Sequence, residues 1–524
     1  MSKLLQDPPL AEQRIPELRK KALKGGMVTV PTQLILLVLR VGQAAVLGRL
    51  LTPGDFGLIA MVTAVTSIIF MFRDLGLPMA AIRDPKITPA QINSLFWINV
   101  AAAFVIGGII AALSPLVAAY YGDPRLTMVT VALGGICVLG ALGGQSIAML
   151  QRKMQFFRLG CAEVGSTAMG IAVAILMAVN GAEYWALVAM QAVTMLSQAV
   201  IASLCAWWFP SLPRIAEGTK KLLALGGHLS LSEFAYVLSR NSVGLLLGRF
   251  AGAEALGFYS KARQLLMLPI HQVNFPIQKV ALPALSQLQD DPTSFRKAYY
   301  RLVGTIEMLS APMVAILIIS APDIIRVILG DQWDQAARVF RVLAVASFGM
   351  QSTLTTYWVL VALGMGSRQS KWSLIHSVIV VIAVACGLPW GVMGVATTYT
   401  CAMWLLRIPQ LAWAFRETPV SVSGFFASTW TSLTIGVTMM LAMLLQKIFL
   451  PLEPMLQSYE LTGGQLSLIS IIVSCSVGCG TALVMIAAWP AARIPMNNLW
   501  DLLMHSIRAR QGVEGGDRGD QLSD

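Results

Sequence analysis

Arg40 and Arg240 lie in the middle of long apolar runs, 200 residues apart, and each has a polar companion seven residues earlier: Gln33 for the first, Glu233 for the second. Residues seven apart share a helical face. An arginine at mid-bilayer costs about 2.5–3.5 kcal/mol on insertion scales, so both are expected to face protein or water rather than lipid. The chemistry they suit is anion binding, because a guanidinium stays charged and its forked donors match phosphate oxygens. The alternative is structural, with each arginine buried against a carboxylate such as Glu233.

A second cluster falls between residues 260 and 278. Ser260, Arg263, Gln264, His271, Asn274 and Gln278 project within about 100° of one another on an ideal helix. That predicts a polar stripe along a membrane helix, with Lys261 at its edge and Pro269 and Pro276 as bending points. Thr63, Ser67 and Asp74 make a weaker stripe. Arg40, Arg240, Arg263, Gln33, Gln264, His271 and Asn274 are therefore the candidate lining of one cationic cleft. Glu233 and Asp74 are the candidates for ion coupling, by H+ or Na+. Glu163 and Glu307 are single acids inside apolar runs, and the sequence leaves open whether they hydrogen-bond between helices or bind a cation or proton. The seven cysteines and four histidines show no metal-ligand spacing; no metal and no cofactor is expected, and the cysteines read as small packing residues.

The elements that position these residues follow from composition. Of 524 residues, 56% are apolar and only 12% charged, with a mean hydropathy of +0.69; soluble proteins carry about 25% charged residues. Apolar runs of about 20 residues recur throughout, which makes the chain an all-α polytopic membrane protein with 14 expected spans. The run at 27–51 is too long for a signal-peptide core and is expected to remain as the first span. The net charge of +12 is assigned to basic loops that set membrane orientation, not to nucleic-acid binding. Counting Lys and Arg places both termini in the cytoplasm, with Arg407 and Arg416 among the loop charges on that side. "MNNLWDLLMHSIRAR" reads as an amphipathic helix on the membrane surface, and "RIAEGTKKLLALGGH" as a similar elbow.

Leu47, Gly48, Arg49 and Gly57 recur as Leu247, Gly248, Arg249 and Gly257, at the offset that also pairs the two mid-span arginines. Arginine is sparse here, so the repeat implies a duplicated six-helix unit. Six is even; both copies enter the membrane the same way, as parallel repeats related by a pseudo-two-fold axis along the membrane normal. The expected organisation is a basic cytoplasmic segment at 1–26, a first lobe at 27–209, a linker at 210–227, a second lobe at 228–416, two further spans within 417–490, and a cytoplasmic amphipathic helix with a disordered tail at 491–524. Arg49 is about half a turn from Arg40 in angle and is expected, with Arg249, to anchor a helix end by snorkelling.

"LGRLLTPGDFGLIAM" followed by "FRDLGLPMAAIR" resembles the opening of the polysaccharide transporter family, the Wzx-type lipopolysaccharide and colanic acid exporters of the multidrug/oligosaccharidyl-lipid/polysaccharide flippase superfamily. The resemblance extends to about residue 450, the later spans matching mainly in length, order and character. It implies a non-enzymatic flippase of the bacterial inner membrane that moves oligosaccharide units on undecaprenyl pyrophosphate for exopolysaccharide, capsule or O-antigen assembly. It also implies cavity arginines on the first and eighth helices, which are Arg40 and Arg263 here. The partners so implied are the lipid-linked substrate, membrane lipids, and the polymerase and export machinery of the same pathway. Two rivals remain: a cation-coupled multidrug exporter of the same fold, and a membrane polymerase or ligase, which would need a larger outer loop than this chain has.

Overall fold

In a computed structural model the chain is described over residues 10–70, 88–212, 231–451 and 463–490, and helices joined by short turns make up these segments. The helices are α1 (Leu10–Leu50), α2 (Pro53–Phe70), α3 (Pro89–Tyr121), α4 (Arg125–Arg152), α5 (Phe156–Val179), α6 (Trp185–Ala206), α7 (Leu231–Gln287), α8 (Pro292–Ile319), α9 (Ala321–Leu329), α10 (Asp334–Ala362), α11 (Gly366–Gly387), α12 (Gly391–Phe415), α13 (Val422–Phe449) and α14 (Gly463–Ala488). The two expected surface helices and Asp74 lie outside the described residues, as does the side chain of Glu233 in the first turn of α7.

Local chemistry sets the boundaries. Thr52 and Asp55 form a reciprocal cap at the start of α2: the Asp55 carboxylate accepts from the Thr52 amide (2.9 Å), and the Thr52 hydroxyl accepts from the Asp55 amide (3.3 Å). Pro53 occupies the first helical position, where its missing N–H costs nothing. The second copy makes the same break with one residue. Gly252, at φ 85°, divides α7 into arms 231–251 and 253–287, and only glycine enters that region without strain. Thr88 and Gln91 form a capping box on α3, and Asp291 caps α8 by accepting from the Thr293 and Ser294 amides.

Ten helical stretches are long and apolar enough to span a membrane, one of them the α11–α12 pair. The two arms of α7 and α10 complete the expected set. They are less apolar: the arms of α7 carry Arg240, Lys261 and Arg263 with Gln264, His271, Asn274 and Gln278, and α10 carries Arg338 and Arg341 with Gln351, Ser352, Thr353, Thr355 and Thr356. Helices α4 with α3 and α6, α6 with α5, and α5 with α1 form the first lobe; α7, α8, α10, α11 and α12 form the second. Helices α13 and α14 pack against α8 and α9. The Asp323 carboxylate ties them on, accepting from Lys447 Nζ (2.6 Å) and Ser470 Oγ (3.0 Å).

Two expectations are corrected here. Arg407 is not a loop charge: it lies inside α12 and is 4% exposed. Cysteines 161, 386, 401 and 479 are exposed on the helical surface rather than packed, whereas Cys137 is buried.

Candidate functional site

The lobes meet most extensively where α2 crosses α7, and the contact is reciprocal. A Cβ at Gly57 would collide with the carbonyl oxygen of Ala253; a Cβ at Gly257 would collide with that of Pro53. Ala253 is the counterpart of Pro53 at the same offset, so each copy offers a glycine to the other's first helical residue. The passage is written twice because both versions are needed at one crossing. The seam continues as Ala64 against Gly244, then Ser67 Oγ donating to Asn241 Oδ1 at 2.9 Å. At 1.5 Å rise per residue, Pro53 to Ser67 is about 20 Å of helix.

The same end is latched by loops crossing in both directions. The Tyr121 hydroxyl is shared between the carbonyls of Met61 and Gly244, each at 3.2 Å, and Tyr120 donates to Leu245 O. In return, Trp333 Nε1 donates to Gly48 O (2.8 Å), Gln332 Nε2 to the same oxygen (2.7 Å), and Arg49 Nη2 to Val327 O (2.8 Å). Arg49 therefore grips the opposite lobe, a partner that the snorkelling expectation did not foresee. Trp333 is fully buried, with its ring edge-on to Phe56 and Phe258.

The remaining candidates separate. Helix α1 packs on α5 and α9 and makes at most marginal contact with α7 among the described residues. Arg40 is exposed although Leu36 and Ala44, one turn to either side, are buried. That places its guanidinium on the protein-facing side of α1, because the lipid-facing positions Leu34, Ile35 and Val38 form a different stripe. Gln33 is half-buried. Among the described residues, the acid within electrostatic reach of Arg40 is Glu163 of α5; the Glu233 side chain weighed from sequence lies outside them. Arg240 is exposed on the first arm of α7.

The polar stripe on the second arm divides. Gln264 and His271 are exposed; Asn274 is half-buried, with its Oδ1 lacking a hydrogen-bond partner. Arg263 instead turns into its own lobe, lining a small cavity with Tyr259, Leu266, Met267, Leu343, Ala346, Met350 and Tyr399. Helical projection gave the angle but not the neighbour that fills it. Lys261, placed only at the edge, is the most buried of the group at 5% exposed. Its ammonium lies 3.9 Å from the centre of the Phe56 ring, across the seam, and donates to Gln264 Oε1 at 3.1 Å. Sequence reasoning also missed the partner of Glu307: buried Arg407, which acts on it electrostatically. The signal was present, since Arg407 lies within an apolar run.

The profile of a family described as "Polysaccharide biosynthesis protein" matches residues 46–338, more than half of the chain. The chain belongs to the polysaccharide biosynthesis protein family. Its relatives in that pathway class include the teichuronic acid biosynthesis protein TuaB of Bacillus subtilis (strain 168), 24% identical over 63% of this chain and 69% of its own. The lipopolysaccharide biosynthesis protein WzxC of Escherichia coli (strain K12) is 23% identical over 63% and 67%. The succinoglycan biosynthesis transport protein ExoT of Rhizobium meliloti (strain 1021) is 26% identical over 73% and 78%. Among solved structures, the lipid II flippase MurJ in an inward closed conformation superposes with a TM-score of 0.64 at 11% identity, covering 88% of this chain and 99% of that one. An inward-facing multidrug resistance transporter of the MATE family gives 0.56 at 15%, covering 76% and 96%. This member of the family thus has the two-lobed transporter fold; it is a multi-pass membrane protein and not an enzyme.

Proposed function

We propose that the protein flips lipid-linked oligosaccharide units across the bacterial inner membrane, from cytoplasm to outer face, by alternating access between its lobes. The observation that carries this reading is the pair Arg40 and Arg240. They sit at the same place in the two copies, mid-helix, exposed, and without an ion pair among the described residues. A cation left open at that depth is costly unless it faces water or an anion, and the pyrophosphate of a polyprenyl carrier is an anion that must pass that depth. Gln33, Gln264, His271 and Asn274 supply hydrogen-bonding groups suited to sugar hydroxyls.

In this cycle the reciprocal Gly57–Gly257 crossing is the closed outer gate. With it shut, the head group enters from the cytoplasmic side while its lipid tail stays in the bilayer, and the arginines neutralise the pyrophosphate. The lobes then rock, the glycine crossing parts, and the head group leaves outside. The relatives named for succinoglycan transport and lipopolysaccharide biosynthesis support the substrate class, and the MurJ-like fold supports the two-lobed scaffold.

The test is polymer export in cells whose own gene is replaced by Arg40→Glu at normal protein level. Export should be lost, with the lipid-linked unit accumulating on the cytoplasmic leaflet. Normal export would overturn the assignment. Export of organic cations by the wild-type chain, with no movement of lipid-linked sugar, would favour the multidrug reading instead.

A further inference from the structure

We propose that Glu307 and Arg407 form a proton-binding site inside the second lobe, with Glu307 carrying the proton and Arg407 responding to its charge; as a coupling site it rests on the transport reading above. Glu307 in the middle of α8 is 1% exposed, and Arg407 in the middle of α12 is 4% exposed. Among the described residues, neither carboxylate oxygen of Glu307 has a hydrogen-bond partner, nor do Nε and Nη2 of Arg407. The two charges act on each other without forming an ion pair.

The surroundings show that this is not loose packing. Helix α10 runs between the two and is tied to each one turn away from the pair. Gln351 Nε2 donates to Ser310 Oγ at 3.0 Å, three residues past Glu307. Thr353 Oγ1 donates to Gln410 Oε1 at 3.0 Å, and Gln410 Nε2 to Thr356 Oγ1 at 3.1 Å, three residues past Arg407. Around the pair these side-chain amides and hydroxyls bond one another, while Glu307 has no hydrogen-bond partner and the Arg407 guanidinium lies over the Trp404 ring, 5.2 Å from its centre. Gln351 Oε1 faces this layer, also unpartnered.

Buried charge that is neither paired nor hydrogen-bonded is unfavourable, and a carboxylate escapes by taking a proton. Arginine has no such escape, since it stays charged. A metal cation would enter the repulsive field of the guanidinium and find few oxygens, so the proton is the ligand the site fits. The groups facing Glu307 bear this out. Arg407 of α12 and Tyr299 of α8 are the titratable groups within electrostatic reach of Glu307 among the described residues; one turn from it, Gln351 of α10 bonds Ser310, and Ser432 of α13 bonds the Gly304 carbonyl. Helix α10 also supplies the link to the gate. Trp333, immediately before it, donates to Gly48 O of the first lobe, so a charge change beside Gln351 acts on the helix that starts at the seam.

The test is infrared difference spectroscopy of the full chain in proteoliposomes, titrated with acid. The wild type should develop the carbonyl band of a buried carboxylic acid. Glu307→Gln should lose that band, and Glu307→Asp, which keeps an acid, should retain it. Arg407→Gln should displace the titration to higher pH, because a nearby cation favours the ionised form. In flux measurements with lipid-linked oligosaccharide, Glu307→Gln should lose the dependence on an imposed pH gradient. The proposal is overturned if the Glu307→Gln spectrum matches wild type, or if the carboxylate responds to NaCl at fixed pH rather than to acid. If the wild type moves no lipid-linked sugar, the transport reading fails, and the acid titration still decides the site.

Discussion

Gly107 of α3 and Glu307 of α8 hold the same place in the two copies, 200 residues apart in the third span of each lobe. In the first lobe that place is a close helix crossing: a Cβ on Gly107 would lie 2.6 Å from the carbonyl oxygen of Gly134, and one on Gly134 would lie 2.7 Å from that of Gly107. In the second lobe it holds a buried acid facing a buried arginine. Gly57 and Gly257 behave in the opposite way, staying glycine in both copies and meeting at the seam. The difference shows where duplication is constrained. At the seam each copy is the other's partner, so a change on one side is felt by both. Inside a lobe nothing couples the copies, and one interior became tightly packed while the other acquired charge.

The largest effect that sharpens this contrast comes from the charged interior. Glu307→Leu alone should cost about 3–5 kcal/mol, because it leaves the buried Arg407 cation, which cannot shed its charge, without its acid; Arg407→Met alone should cost less, because Glu307 can take a proton. The double variant should recover most of that loss, measured as thermal unfolding in detergent. Additive losses would mean the two groups are not a pair. Next is the seam. Gly57→Ala and Gly257→Ala should each cost about 1–3 kcal/mol by overpacking against a backbone carbonyl, and the two should match. A single-lobe clash such as Gly107→Ala should lower stability without altering the gate. Disulfide trapping between cysteines placed across α2 and α7 reads the difference: the seam variants should trap poorly and Gly107→Ala normally.

Much of this architecture was legible in the sequence, because the bilayer demands long apolar helices and the repeat stands out against sparse arginine. The spans of α7 and α10 were counted as apolar runs despite their charges, and the alternation of basic loops supported the count. The site was less legible. Charge counting assigned Arg407 to a loop, since a count near a span end does not register depth. Projection put Arg263 and Gln264 in one stripe, yet residues 100° apart can face different neighbours, and here one turns into its lobe while the other is exposed. Glu307 was recognised as an intramembrane acid, but its partner lies 100 residues away in sequence, and only packing brings the two together.

The smallest effect tests asymmetry inside the repeated passage itself. Arg49 and Arg249 match in sequence, but Arg49 bonds the Val327 carbonyl of the opposite lobe, whereas Arg249 has no such bond among the described residues. The first lobe's equivalent of α9 is the short Gly122–Pro124 turn, which brings tyrosines rather than a helix end to the seam. Arg49→Met should therefore weaken closure by about 0.5–1 kcal/mol, the range of one hydrogen bond at an exposed site. Arg249→Met should leave closure unchanged. Cross-linking yield between α2 and α7 at rising temperature measures both. Equal losses from the two variants would mean that the arginines act through their shared membrane depth rather than through the Val327 bond, and that the repeat is symmetric here as well as at its glycines.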